Sequence, residues 1–254
     1  GGAAARPPPR AARPVALGDV RLAAGTVFEA AQRQNGDYLL DLSAERLLWS
    51  FYEVAGLPPT GEPYGGWEDA AKGGWPDPST PTRTLRGHFV GHVLSALALG
   101  FAAGGDERLA TRAAHLVGEL RRCQLALATG FVSAWPASVL DALEAGRLSE
   151  VWAPYYTLHK ILQGFLDVHT LVLAKRGDGS ALAAAADLGS YLSRRVSGII
   201  AHHGDDWWQA LLEVEFGGIA QSAYQLRDLL APTNATAAAL ALDLARAFRK
   251  RRFI

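Results

Sequence analysis

The sequence predicts an all-α protein of the α/α toroid type, and three observations carry that expectation. From Leu85 onward, helical patterns come in pairs joined by tight turns such as Gly104-Gly105-Asp106, Arg176-Gly177-Asp178-Gly179 and Ala231-Pro232-Thr233-Asn234. The pairs recur about every 60 to 70 residues, with first helices beginning near residues 87, 155 and 217. In each pair one helix carries polar and aromatic residues and its partner is rich in Ala and Leu, as inner helices lining a cavity and outer helices backing them would be. Nothing reads as a substantial β-sheet. Six hairpins close an (α/α)6 ring and about four are legible, counting an N-terminal pair, so the barrel is expected to be incomplete at its C-terminal side. An open α-solenoid acting as a binding scaffold accounts for the same spacing without closure.

The elements follow in order. Residues 1–14 (GGAAARPPPRAARP) hold only Gly, Ala, Arg and Pro, have nothing to bury, and read as a flexible or polyproline-like leader to a domain spanning 15–254. The stretch PVALGDVRL reads as an extended arm around a Gly-Asp turn. Helical patterns appear near 26–35 and 43–55, then residues 56–85 form a long irregular segment rich in Gly, Pro and Trp, of a length usually functional or disordered. The three hairpins complete the chain.

Composition narrows the function. With 254 residues, 49% of them hydrophobic, the chain can bury the core of one large domain. Equal numbers of basic and acidic residues, 25 each, give no electrostatic reason to expect nucleic acid or an anionic membrane as partner. Apolar runs are broken well before the roughly 18 residues of a membrane span. The sequence has no Met and stops at Arg251-Arg252-Phe253-Ile254 directly after a helical pattern, so it is expected to be a fragment. Cys123 is the sole cysteine; it can form no internal disulfide, and its apolar neighbours favour buried packing over reactivity.

Chemistry-bearing residues cluster in four places. In VWAPYYTLHKILQGFLD (151–167), Trp152, Tyr155, Tyr156, His159 and Lys160 gather at the start of a helix whose continuation, Ile161 to Leu166, is apolar at helical spacing. Such an end suits a sugar or polyol, with aromatic faces against C–H groups and imidazole or ammonium groups on hydroxyls; satisfied polar tips on a core helix fit equally. In RGHFVGH (86–92), His88 and His92 stand four apart with Gly87 and Gly91 on the adjacent stripe. A metal grip, close helix packing through the glycines and ligand binding all fit, although Phe89 occupies the place of the Glu that a zinc-protease helix needs. In PYGGWE (63–68), Trp67 either roofs a cavity or anchors its loop. Trp207, Trp208, Gln209, Glu213 and Glu215 precede the Gly217-Gly218 pair; Glu215 lies just before a helix start, where capping and substrate binding both suit a carboxylate. His202 and His203, with Asp205 and Asp206, are expected on a surface loop. No Gly-x-Ser-x-Gly elbow and no phosphate-binding loop is present.

PYGGWE, LRGHFVGHVLSALAL (85–99), the Cys123-Gln124 pair, GFVSAWP (130–136) and VWAPYYTLHKILQGFLD occur in an order and spacing that resemble the β-L-arabinofuranosidases of glycoside hydrolase family 127, most closely a plant-like branch, over about residues 15 to 230. The resemblance implies an (α/α)6 catalytic barrel followed by β-sandwich domains, and removal of terminal β-L-arabinofuranose from glycans or glycoproteins. It further implies a zinc-bound cysteine thiolate as nucleophile with a Glu as general acid, in a later half of the barrel that this sequence does not reach. No catalytic residue, metal ligand or cofactor is therefore assigned here, and zinc is expected only in the full-length protein. The binding side carries over at His159, with Tyr156 and Lys160 beside it. The family's glycine turn is usually followed by Met, Asn and an acidic residue; here it reads Ile219, Ala220, Gln221. A GGWPDPSTPTR insertion (73–83) precedes the His pair. The expected substrate-binding set is His159, Tyr156, Trp152, Lys160, His88, His92, Trp67 and Glu215, with a carbohydrate partner. A non-catalytic helical-repeat module binding a glycan or a protein is the alternative. The Asn234-Ala235-Thr236 sequon and the resemblance both suit a secretory origin.

Overall fold

The computed structural model describes residues 15–69, 84–215 and 217–251, without the side chain of Val214. The leader 1–14, the insertion 73–83 and the terminal Arg252 to Ile254 lie outside the described residues. The described residues form helices and no strand: α1 (Val27–Asp41), α2 (Ala44–Val54), α3 (His88–Gly104), α4 (Glu107–Leu127), a short α5 (Ser138–Glu144), α6 (Pro154–Val168), α7 (Ser180–His203), α8 (Asp205–Glu215), α9 (Ile219–Leu230) and α10 (Ala235–Ala247). None is long and apolar enough to cross a membrane.

The expected hairpins are α3–α4, α6–α7 and α9–α10. Helices α3, α6 and α9 stand side by side in one row, with α4, α7 and α10 in a second row behind them. Within the first row the helices are parallel. Gly91 and Leu94 of α3 meet Lys160 and Gly164 of α6, and Gly218 and Ser222 of the α9 end meet His159 and Gln163. All three inner helices therefore begin at the same end of the molecule.

The N-terminal pair is built differently. Leu42 and Ser43, both extended, are too few to reverse the chain between α1 and α2. Contacts instead climb α4 in order, from Asp37 with Arg108, through the Leu42 carbonyl with Arg112, to Tyr52 with Glu119. Helix α1 also runs past Asn35-Gly36, where the sequence suggested a stop, because Gly36 faces Leu109 and uses its missing side chain as packing space. His202 and His203 are not in a loop: they form the last turn of α7, and Gly204, at φ +87°, makes the sharp step into α8.

The seam between α3 and α6 is the tightest in the fold. A Cβ on Gly91 would lie 2.2 Å from the Lys160 carbonyl carbon, and one on Gly164 would lie 2.8 Å from the Leu94 Cβ. Around this seam Val90, Leu94, Leu97, Ile161, Leu162 and Phe165 are fully buried. Burial of each large aliphatic or aromatic side chain contributes about 1.5 to 3 kcal/mol, so close backbone approach is backed by a large apolar contact. Of the two packing glycines in the His pair motif, Gly87 serves a second purpose. It sits at φ +89° against Ala134 and Phe51, where any side chain would be both strained and crowded.

Capping separates the two rows. Ser43, Asp106 and Asn234 cap α2, α4 and α10 with their own side chains, as Thr26 caps α1; α7 starts after Gly179, which has no side-chain cap, but the adjacent Asp178 accepts from the Ser180 N–H. The inner helices start after Gly87, Ala153 and Gly218, none of which offers a side-chain cap. Their first turns need partners from elsewhere in the chain.

Candidate sugar-binding site

The shared start of α3 and α6 collects six of the eight residues expected from sequence, Trp67, His88, His92, Trp152, Tyr156 and Lys160, into one continuous patch. Trp67, on the short turn Gly66–Glu68, lies 5.6 Å from the His88 ring and 6.1 Å from Trp152, edge to face with the latter. His88 lies 5.9 Å from both His92 and Tyr156. The His92 Nε2 is 3.5 Å from the Tyr156 hydroxyl, and the Lys160 ammonium stands 4.9 Å over the Tyr156 ring. His159 faces the neighbouring helix start instead: a Cβ on Gly218 would lie 2.7 Å from its Cε1, so the glycine turn is shaped to receive this ring. Four segments distant in sequence thus meet at one helix end.

Electrostatics make the imidazoles neutral. Burial and the Lys160 charge, with His92 nearby, push His159 down to about 4. Burial lowers His88 and His92 as well, again with Lys160 opposing protonation. The His88 Nδ1 lies 2.6 Å from the Leu85 carbonyl, which can only accept. This fixes the N–H on Nδ1 and leaves Nε2 as an acceptor. Three uncharged imidazoles, one ammonium and aromatic faces together can donate, accept and stack, a set that would suit a neutral polyol.

Behind the patch stand two buried carboxyls. The Gly87 N–H donates to Glu68 at 2.7 Å, and the Tyr156 N–H donates to Glu215 at 3.2 Å. They are the caps that the starts of α3 and α6 lack. Burial raises both carboxyls, that of Glu215 to about 8. The Oε1 atom of each has no hydrogen-bond partner. Glu215 is the last residue of α8 and takes the capping role that its sequence position allowed, but the helix it caps is α6 rather than the adjacent α9. Glu68 stands in PYGGWE with no role that the sequence assigns; its one signal is a carboxylate ahead of a helix that starts at glycine. In that same loop the anchor is Tyr64, whose hydroxyl accepts from the Ser43 N–H at 2.9 Å under the Arg46 guanidinium. Trp67 remains 53% exposed.

The described residues do not fit the zinc centre that the resemblance implies. Cys123 is buried on α4, and burial pushes its thiol up to about 12. Among the described residues no group of three or more His, Cys, Asp or Glu could hold a metal ion. His88 and His92 have their rings perpendicular, and one nitrogen of His88 is committed to a carbonyl.

A family model described as beta-L-arabinofuranosidase, GH127 catalytic domain, matches residues 19–254. No curated protein matches the chain.

Proposed function

Since the chain belongs to the GH127 β-L-arabinofuranosidase catalytic-domain family, we propose that the patch at the start of α3 and α6 binds a terminal arabinofuranosyl unit of a glycan in a glycoside hydrolase. The observation that carries this reading is the convergence of Trp67, His88, His92, Trp152, Tyr156 and Lys160 from separate segments onto one helix end, with His159 on the same helix end against Gly218. Tyr156 and the two tryptophans offer faces to the C–H side of the sugar. His88 accepts from a hydroxyl through Nε2, Lys160 donates, and His92 and His159, held neutral, exchange hydrogen bonds with the ring hydroxyls. Glu215 stays behind the patch and sets the position of Tyr156.

In the same proposal this chain supplies a binding wall rather than a nucleophile. Cys123 is buried and stays protonated far above neutral pH, so it cannot attack an anomeric carbon. No chemical step is routed through it, and the chain alone is expected to show no glycosidase turnover.

The test is calorimetric titration of the chain with methyl β-L-arabinofuranoside, wild type against His159→Ala. A lost hydrogen bond to a bound hydroxyl costs about 1 to 3 kcal/mol, or roughly 5- to 150-fold in affinity, with little change in melting temperature. Intact affinity together with a large drop in melting temperature would make His159 a structural residue and remove it from the site. Absence of sugar binding by the wild type would favour the non-catalytic helical module.

A further inference from the structure

A cleft of about 430 Å³ adjoins the candidate sugar patch and shares Trp67 and His88 with it. Its walls are Tyr38 and Leu42 from the end of α1, Tyr64 and Trp67 from the loop, and Phe89 from the first turn of α3. Tyr38, Trp67 and Phe89 are 55%, 53% and 37% exposed, so three aromatic side chains from three segments leave their faces open around one space. That arrangement leaves apolar area in water for no gain in folding. The floor is preorganised, since Tyr64 is held at both ends by the Ser43 N–H and the Arg46 guanidinium.

We propose that this aromatic cleft receives the group on the far side of the cleaved linkage: a second sugar ring, or another flat aglycone rich in C–H. The proposal rests on the sugar reading of the neighbouring patch and extends it to the rest of the substrate. Two features select this occupant. Trp67 and His88 border the cleft and also belong to the patch, so a ligand spanning one glycosidic bond passes over a shared ridge. The walls are aromatic and aliphatic with Glu68 as their acidic group, and Glu68 is already engaged by the Gly87 N–H with its ionisation opposed by burial, so the cleft suits ring faces rather than charged groups.

The experiment is calorimetric titration of the full chain with three probes: methyl β-L-arabinofuranoside, the same sugar carrying a second pentose on its anomeric oxygen, and its phenyl glycoside. The two-ring probes are expected to bind about tenfold tighter than the methyl glycoside, as stacking in a preformed cleft adds to affinity without a new ordering cost. In Tyr38→Ala, and separately in Phe89→Leu, that advantage should fall to near nothing. Both side chains are exposed, and an unchanged melting temperature would show that the fold is kept. A gain seen with the disaccharide alone identifies a sugar in the cleft, and one seen with the phenyl glycoside alone an apolar aglycone; either supports the proposal. Equal binding of all three probes, or an advantage that survives both substitutions, overturns the cleft while leaving the sugar patch standing. Tyr38-dependent binding of the two-ring probes without any of the methyl glycoside would support the cleft and remove the patch. Failure of every probe to bind overturns both.

Discussion

Replacing Gly91 by alanine tests the architecture at its tightest point. The added methyl carbon would sit 2.2 Å from the Lys160 carbonyl carbon, 2.3 Å from its oxygen and 2.6 Å from the Ile161 nitrogen. All three are backbone atoms of a helix whose adjoining side chains Ile161, Leu162 and Phe165 are themselves fully buried, so no flexible side chain can swing aside. Ordinary carbon contacts begin near 3.5 Å, so α3 and α6 must separate by about 1 Å, thinning the dispersion contacts along the whole seam. Overpacking of this kind costs about 1 to 3 kcal/mol, occasionally more, against which alanine returns up to about 1 kcal/mol of helix propensity. With only backbone to yield, the upper part of that range applies, and after the propensity gain a net loss of about 1 to 2 kcal/mol is expected, or roughly 5- to 30-fold in the folding equilibrium. Urea unfolding followed by far-ultraviolet circular dichroism measures it directly. Gly164→Ala, whose Cβ would meet the Leu94 Cβ at 2.8 Å and the Gly91 oxygen at 2.9 Å, should lose less. A Gly91→Ala protein as stable as wild type would refute the backbone contact, and with it the rigid placement of His92 opposite Tyr156.

Gly118 on α4 and Gly198 on α7 are exposed helical positions where an added Cβ would meet only open space, so alanine at either should stabilise by about 0.5 to 1 kcal/mol, read as a raised urea midpoint. Glu215 is raised from 4.5 to about 8, so the folded chain holds a proton that the unfolded chain has released across that interval. Its contribution to stability is full at the acidic end and is lost as pH rises through about 8, by up to roughly 5 kcal/mol at about 1.4 kcal/mol per unit. Glu215→Gln should therefore flatten the fall in melting temperature between about pH 5 and about pH 9, and parallel profiles for the two proteins would contradict the burial of this carboxyl. Cys123 should resist iodoacetamide in the folded protein at neutral pH and react fully in urea; rapid alkylation of the native chain would show an exposed or activated thiol.

Much of the site was legible because it is local. Tyr156, His159 and Lys160 share one end of one helix, and the spacing of His88 and His92 places them on one face whatever else the chain does. The hairpins were legible through their glycine turns and alternating compositions. What sequence could not show were the relations between segments. Glu68 and Glu215 cap helices that begin 19 and about 60 residues away along the chain, and no local pattern distinguishes such a carboxylate from a solvated one. The same holds for α1 and α2, which looked like one more hairpin but climb α4 together, because two extended linker residues carry no hydropathy signal of direction. Helix α8 was hidden for a related reason: its tryptophans and acids resemble a loop cluster, and only the burial of Trp208 against Tyr155 and Phe248 gives the segment an inner face.

The division of caps between the two rows also sets an order of assembly. Helices α2, α4 and α10 carry their own start signals and need no distant partner to begin, whereas the first turns of α3 and α6 are complete only after the Gly66–Glu68 turn and the end of α8 have docked. The end that carries the candidate site is then expected to complete its hydrogen bonds late and to open locally before the rest of the fold. Amide exchange at Gly87 and Tyr156 would report that opening separately from global unfolding, and a ligand bound across the patch would slow both together although their helices belong to different hairpins. On the proposed reading, recognition of the sugar and this local opening would involve the same few backbone hydrogens.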